Sequence, residues 1–422
     1  MSCFELLNPF TPSSIVSNPR DFFGRETEMQ ILDRSLRQGS LIIQGPVGIG
    51  KSSLLSRVLL YMDGYCSGND SKIVICVSHK DIKTVDDAAR LLLEELCEFD
   101  EKRGKISITL PKLISFESEK AYSYFSEGRY LSTLLKIIED KKFFNAVSET
   151  NYIIFAIDEC DKSPKPIAKL IRQILTKTQL NGLTKIRFIL SGISPFYEEL
   201  LNEDEGLNRF IYKIINLGKL QELEARELFE SKIMQVVKDA RENKYPLEID
   251  PNIIERVLSL ANGHPHLIQL LGSCLIEHEN SNDDGIINAY DLVNALKEIC
   301  YEKRAVIYND LMNKLKFQGY YETLIRFISL SRYKFPTTVN KNIAIKKFES
   351  EEILWLLKNN VITDYSKDQY ELVDEFLRVR IYLDEDASET SSWNIINYAL
   401  INSDSTYDSD PTYYSMLKEY EN

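Results

Sequence analysis

Gly45-Pro46-Val47-Gly48-Ile49-Gly50-Lys51-Ser52-Ser53 combines three glycines, one lysine and two hydroxyls at a spacing suited to one kind of chemistry. Glycines let the backbone curl so that successive N–H groups converge on a bound anion. A lysine and a hydroxyl at the end of Gly-x4-Gly-Lys-Ser can then clamp the β- and γ-phosphates and ligate Mg²⁺. The assignment is Gly45, Pro46, Val47, Gly48, Ile49, Gly50, Lys51, Ser52 and Ser53 to the phosphates of ATP, with Ser52 also on the metal.

A second cluster lies about 110 residues on. Tyr152-Ile153-Ile154-Phe155-Ala156-Ile157 is an unbroken apolar run that ends in Asp158-Glu159. Such a run fits a strand of a parallel sheet covered on both faces, and its end is where open α/β sheets hold ligands. Asp158 is the expected Mg²⁺ partner and Glu159 the base that deprotonates an attacking water. Asp161 reads as a solvated acid. Ser191, closing the run Ile186-Arg187-Phe188-Ile189-Leu190, is placed to meet the γ-phosphate or the water. Arg209 precedes Phe210-Ile211-Tyr212-Lys213-Ile214-Ile215, read as the last strand.

The supporting elements are read from periodicity and breakers. Leu41-Ile42-Ile43 reads as a strand feeding the glycine loop, and Leu54, Leu55, Val58 and Leu59 continue as its helix. Lys72-Ile73-Val74-Ile75-Cys76-Val77 is a further strand, and Val85 to Phe99 an amphipathic helix. The segment from Glu101 to Tyr130 reads as an irregular insertion before a helix ending near Phe144. With Tyr152–Ile157, Ile186–Leu190 and the last strand, the expected core is a five-stranded parallel sheet with helices on both faces, an α/β fold. From Leu220 the strands stop. Glu224–Phe229 and Ile253–Leu260 read as helices, and Asn262-Gly263-His264-Pro265 as a turn in which Gly263 ends one helix and Pro265 opens the next.

Phe22-Phe23-Gly24-Arg25-Glu26, the loop Gly45–Ser53, the apolar run ending Asp158-Glu159 and Gly263-His264-Pro265 occur in that order. Together they resemble the STAND and archaeal-type branch of the AAA+ ATPases, relatives of origin-recognition initiators and bacterial immune NTPases, over roughly residues 8–385. The resemblance implies that Phe23 and Arg25 lie at the adenine, that His264 and Pro265 contact the nucleotide from a lid, and that Arg209 addresses a neighbour's γ-phosphate. It also implies an ATPase domain over 1–218, a helical lid over 219–285 and a winged helix over 286–385. Val361–Tyr365 and Tyr370–Val373, joined by Ser366-Lys367-Asp368-Gln369, read as the wing. The helix before the wing starts Ser350-Glu351-Glu352, with Ser350 as N-cap; its acids disfavour a DNA-reading role.

Composition narrows the classes. The chain has 422 residues, 44% hydrophobic and 27% charged, with no apolar run near the ~20 residues of a membrane span. Its N-terminus lacks the basic and apolar regions of a signal peptide. Seven cysteines without a Cys-x-x-Cys pair point to a reducing, cytoplasmic setting. The net charge is −13. From Leu383 onward nine acids face Lys418 alone, so −8 belongs to residues 383–422 and −5 to the rest; the tail over 386–422 is expected to be flexible. Neither part carries a basic footprint for nucleic acid.

The expected function is therefore an ATP-binding and hydrolysing switch that changes shape or self-associates to control a protein effector in trans, in a setting such as bacterial defence. The alternative is a DNA-binding loader or regulator of replication or transposition, kept open by Lys341, Lys346 and Lys347. A catalytically silent scaffold is countered by the intact Asp158-Glu159 pair.

Overall fold

The computed structural model describes residues 5–16, 18–60, 72–77, 82–100, 105–110, 114–118, 125, 128–140, 152–182, 185–193, 195–331 and 335–385. The acidic tail over 386–422 lies outside the described residues. The chain forms two compact units, one over 15–218 and one made of residues up to 14 together with those from 219 onward.

In the first unit, α1 (Glu26–Leu36) leads to β1 (Ser40–Gln44), the glycine loop and α2 (Lys51–Leu60). β2 (Lys72–Val77) and α3 (Val85–Leu96) come next, then β3 (Cys97–Asp100), β4 (Lys105–Leu110) and β5 (Ile114–Ser118). α4 (Tyr130–Glu139), β6 (Tyr152–Ile157), α5 (Pro164–Leu180), β7 (Ile186–Gly192), α6 (Phe196–Glu203) and β8 (Ile211–Asn216) complete it. The main sheet has five strands in the order β2-β6-β7-β1-β8, all parallel. Successive side chains on a strand face opposite ways, so its strands feed two cores. Leu41, Ile43, Ile154, Ala156 and Ile189 pack with Leu32 of α1 and Leu54 of α2. Ile42, Ile153, Phe155, Ile157 and Phe188 pack with α3, α4, α5 and α6 on the other face, where Phe155 and Phe188 stack at 5.3 Å.

Several expectations change here. The stretch read as an irregular insertion contains β4 and β5, which form an antiparallel sheet with β3, and the helix expected through Phe99 stops at Leu96, where β3 begins. α4 ends at Glu139, where Asp140 turns extended; Phe144, near which the helix was expected to end, lies outside the described residues.

In the second unit the arm before residue 15 packs with helices that come more than 200 residues later. It groups with these helices and not with the unit over 15–218, which was expected to begin at residue 1. α7 (Glu222–Glu242), β9 (Glu248–Ile249), α8 (Ile253–Ala261), α9 (Pro265–Asn282), β10 (Ile286–Ile287) and α10 (Ala289–Glu298) form its first part. β9 and β10 pair in parallel, so strands do not end at Leu220. Phe10 lies 5.6 Å from Phe229 of α7, ring to ring. It also sits over Gly272 of α9, where a Cβ would come within 2.4 Å of Phe10 Cε1. The arm's backbone is paired with α9 side chains: Leu6 N–H donates to Asn280 (2.7 Å) and Thr11 N–H to Gln269 (3.0 Å).

α11 (Ala305–Gln318), α12 (Tyr321–Leu330), β11 (Thr338–Asn340), α13 (Lys341–Lys347), α14 (Ser350–Lys358), β12 (Ile362–Ser366), β13 (Gln369–Leu372) and α15 (Glu375–Glu385) complete the unit. β12 and β13 form the expected hairpin and β11 adds a third antiparallel strand. The N-cap of α14 is Glu349, not Ser350. A capping box forms in which Glu349 N–H donates to Glu352 (2.7 Å).

Candidate functional site

The glycine loop leaves β1 at the carboxyl edge of the sheet and runs directly into α2. Two glycines in it take left-handed backbone, Gly48 at φ 75° and Gly50 at φ 96°, a conformation other residues adopt only at a cost. Gly45 is required for another reason: a Cβ there would stand 2.4 Å from the carbonyl oxygen of Leu217. Lys51 opens α2, and its Nζ donates to the carbonyls of Gly45 (2.9 Å) and Pro46 (2.7 Å). Burial lowers its pKa from the usual lysine value; the charges of Asp158, Asp161 and Glu159 oppose that shift. The three carboxylates of the second motif are thus electrostatic neighbours of the loop lysine.

β6 lies one strand removed from β1, with β7 between them, and brings Asp158 and Glu159 to the same edge. Asp158 Oδ1 accepts the N–H of Glu159 (2.9 Å). Glu159 holds left-handed backbone (φ 53°) and pairs with Lys162 at an exposed position. A non-glycine residue in that region is strained by about 1–2 kcal/mol and persists only where its surroundings over-determine it. Ser191 on β7 pairs in register with Ile43. It is fully buried, and its hydroxyl has no hydrogen-bond partner among the described residues.

The structure gives three predicted residues other tasks. Arg25, itself in left-handed backbone, is 5% exposed. Its Nη2 donates to the carbonyls of Gly218 (2.6 Å) and Ile49 (3.2 Å), and its Nη1 pairs with Glu28 (3.2 Å). It braces the glycine loop against the last residue of its unit, where an adenine contact was expected. Ser53 Oγ accepts the N–H of Val16 (3.1 Å) and so pins the incoming chain to α2. Asp161, expected in solvent, is half-buried and accepts the N–H of Ile193 (3.0 Å).

Arg209 is not gathered with these groups. It ends a short 3-10 turn (Glu205–Arg209) ahead of β8 and lies exposed, with its guanidinium 4.8 Å from the Phe210 ring centre. β8 is parallel to β1, with Ser40 opposite Ile211 and Gln44 opposite Asn216. Arg209 therefore stands at the opposite edge of the sheet from the loop, about 20 Å of strand away, and has no part in its own subunit's site. Phe23 is half-buried. His264 (3% exposed) and Pro265 belong to the other unit, where they begin α9. There Asn262 and Gly263 both take left-handed backbone at the end of α8, at φ 46° and 68°.

The signals missed in the sequence were long-range. Arg25, Ile49 and Gly218 meet only through the fold.

A family profile described as "Nephrocystin 3, N-terminal" matches residues 20–192. Among solved structures, the Walker-type ATPase PABY2304 of Pyrococcus abyssi is similar in fold at 17% identity. Its TM-score is 0.52, over 87% of this chain and 98% of that one. The ORC2 protein of Aeropyrum pernix in its ADPNP-ADP complexes aligns at 12% identity and a TM-score of 0.49, over 92% and 96% of the chains. Cdc6p from Pyrobaculum aerophilum aligns at 14% and 0.48, over 93% and 98%. No curated protein sequence matches the chain. Fold and loop together define a P-loop ATPase.

Proposed function

We propose that the protein binds and hydrolyses ATP and uses the cycle as a switch over a protein partner. One observation carries the reading: Asp158 and Glu159 reach the same sheet edge as Lys51, whose ammonium feels their charge. The loop glycines and Lys51 would cradle the phosphates. Ser52 at the start of α2 and Asp158 would hold Mg²⁺, a set of hard oxygen donors that suits this ion; bound there, the ion would offset phosphate charge. Asp158 spends one carboxylate oxygen on the Glu159 N–H, which keeps the other for such a role. Glu159 would take the proton from the attacking water. Ser191, with its buried hydroxyl at the end of β7, would sense the γ-phosphate.

Control of an effector in trans is favoured over DNA loading by the surface of the second unit. We read α12–β13 as a winged helix. Its α14 presents Glu351 and a 62% exposed Leu354 where a DNA reader would carry basic side chains; α13, with Lys346 and Lys347 exposed beside a 71% exposed Ile345, is what keeps the loader as the second reading. A bacterial defence system is one setting for such a switch.

Arg209, exposed at the far edge of the sheet, would serve only another copy's nucleotide. Turnover should then rise with protein concentration, and a mixture of Arg209→Ala with Lys51→Ala should recover activity that neither has alone. Concentration-independent turnover, a monomeric mass by light scattering in saturating ATP and an inert mixture would remove self-association from the proposal.

A further inference from the structure

The turn that carries Glu159 lies beyond the ladder that would ordinarily hold it. Pairing between β6 and β7 ends at Ile157 opposite Leu190, two residues short of the strained glutamate. Past Glu159 the chain makes a single 3-10 turn, Cys160–Lys162, and two side chains anchor it. Cys160 is fully buried and its thiol donates to Ile157 O (3.1 Å). Asp161 Oδ1 accepts the N–H of Ile193, just past the end of β7 (3.0 Å). Gly192 permits that approach, since a Cβ there would lie 2.8 Å from the Phe196 ring and 3.1 Å from Asp161 Oδ1.

We propose that Asp161 is a positioning residue: its carboxylate prolongs the pairing of β6 with β7 by one side-chain bond and so holds the Glu159 turn beside Ser191. The inference rests on the reading of the site as one for ATP hydrolysis. It assigns Asp161 neither proton nor metal. What the bond needs is an oxygen acceptor at the Ile193 N–H, and a neutral amide oxygen provides one as well as a carboxylate does.

The test compares Asp161→Asn with Asp161→Ala in the full-length protein. Steady-state hydrolysis of Mg-ATP, its pH profile and calorimetric nucleotide affinity are the readouts. Misplacing a catalytic group by an ångström can cost about 100-fold. Asp161→Ala should therefore lose kcat on the order of 10- to 100-fold while its ATP affinity stays within about 3-fold. Asp161→Asn should recover most of that kcat and keep the wild-type pH profile. An Asn variant as inactive as the Ala variant would overturn the proposal, because the charge itself would then be required. Wild-type kcat in Asp161→Ala would overturn it too. Should Asp161→Ala fail to fold, the Asn variant still decides, and Gly192→Ala, which presses on the same bond from β7, should lower kcat with affinity retained. A wild-type protein without ATPase activity would remove the hydrolysis reading and this inference together; an active wild type with an indifferent Asp161→Ala would remove this inference alone.

Discussion

The guanidinium of Arg25 donates to the carbonyl oxygen of Ile49, inside the phosphate loop, while the same nitrogen holds Gly218 at the end of the unit. A carbonyl that points at an arginine cannot turn toward a phosphate, so this contact helps keep the loop's N–H groups facing inward. Replacing Arg25 by Ala would strip the buried Ile49 carbonyl of this donor, while water can reach the carbonyl of Gly218, which is exposed. Each buried unpaired group costs about 1–3 kcal/mol, and 1 kcal/mol moves the melting point of a domain this size by roughly 2–4 °C. Arg25→Ala should thus melt several degrees lower and bind ATP more weakly, by calorimetry and thermal denaturation. Unchanged melting and affinity would show that the contact is incidental.

Lys51→Ala removes the charge-assisted clamp on the phosphates. A loss of roughly 2–4 kcal/mol in binding is expected, read by titration calorimetry with ATP and Mg²⁺. Wild-type affinity in the variant would place the phosphates elsewhere.

Lys51 also makes a prediction about protons. Burial lowers its folded-state pKa below the unfolded value of 10.5. Between those two pKa values the unfolded chain binds more protons, so this lysine's contribution to stability rises with pH through that alkaline window. Phosphates beside the ammonium favour its charged form and raise the pKa again. ATP binding in the same window should therefore take up protons. Calorimetry in two buffers of different ionisation enthalpy measures this, and Lys51→Met should abolish it. Identical uptake in the variant would assign the proton to another group.

Glu159 couples function to strain. Glu159→Gln keeps the backbone and loses the base, so ATP affinity should persist while turnover falls at least ~100-fold. Glu159→Gly should be equally inactive yet more stable, because glycine occupies φ 53° without the cost a side chain bears. Lower stability in Glu159→Gly would mean that the glutamate's contacts outweigh its strain.

Random duplex DNA separates the two functional readings. With −13 net charge and an apolar, acidic face on α14, no binding is expected at ~150 mM salt by fluorescence anisotropy, with or without a non-hydrolysable ATP analogue. Submicromolar binding would favour the loader.

The loop and the main strands were legible because their signals are local: glycine spacing, a lysine and hydroxyl at fixed offsets, and runs such as Tyr152–Ile157. The β3-β4-β5 sheet was missed although Ile106, Ile108 and Leu110 alternate with Lys105, Ser107 and Thr109, a period of two obscured by the charged residues around it. Asp161 could not be read at all. Its partner, the Ile193 N–H, is 32 positions away, and no pattern in the chain distinguishes an acid that meets a strand end from one that meets water. The change in Arg25's role has the same origin, since Gly218 lies 193 positions from it.

The shared packing of the arm before residue 15 with α7 and α9 has a consequence for biosynthesis. Leu6 and Phe10 leave the ribosome well ahead of Gly272 and Asn280, which cover or bind them and emerge some 260 residues later. At about 5–20 residues per second, that interval is roughly 13–50 seconds. The sheet unit can close while the arm still waits with Phe10 uncovered, so the order of synthesis and the order of folding diverge, and a nascent-chain chaperone would find its binding site in this arm.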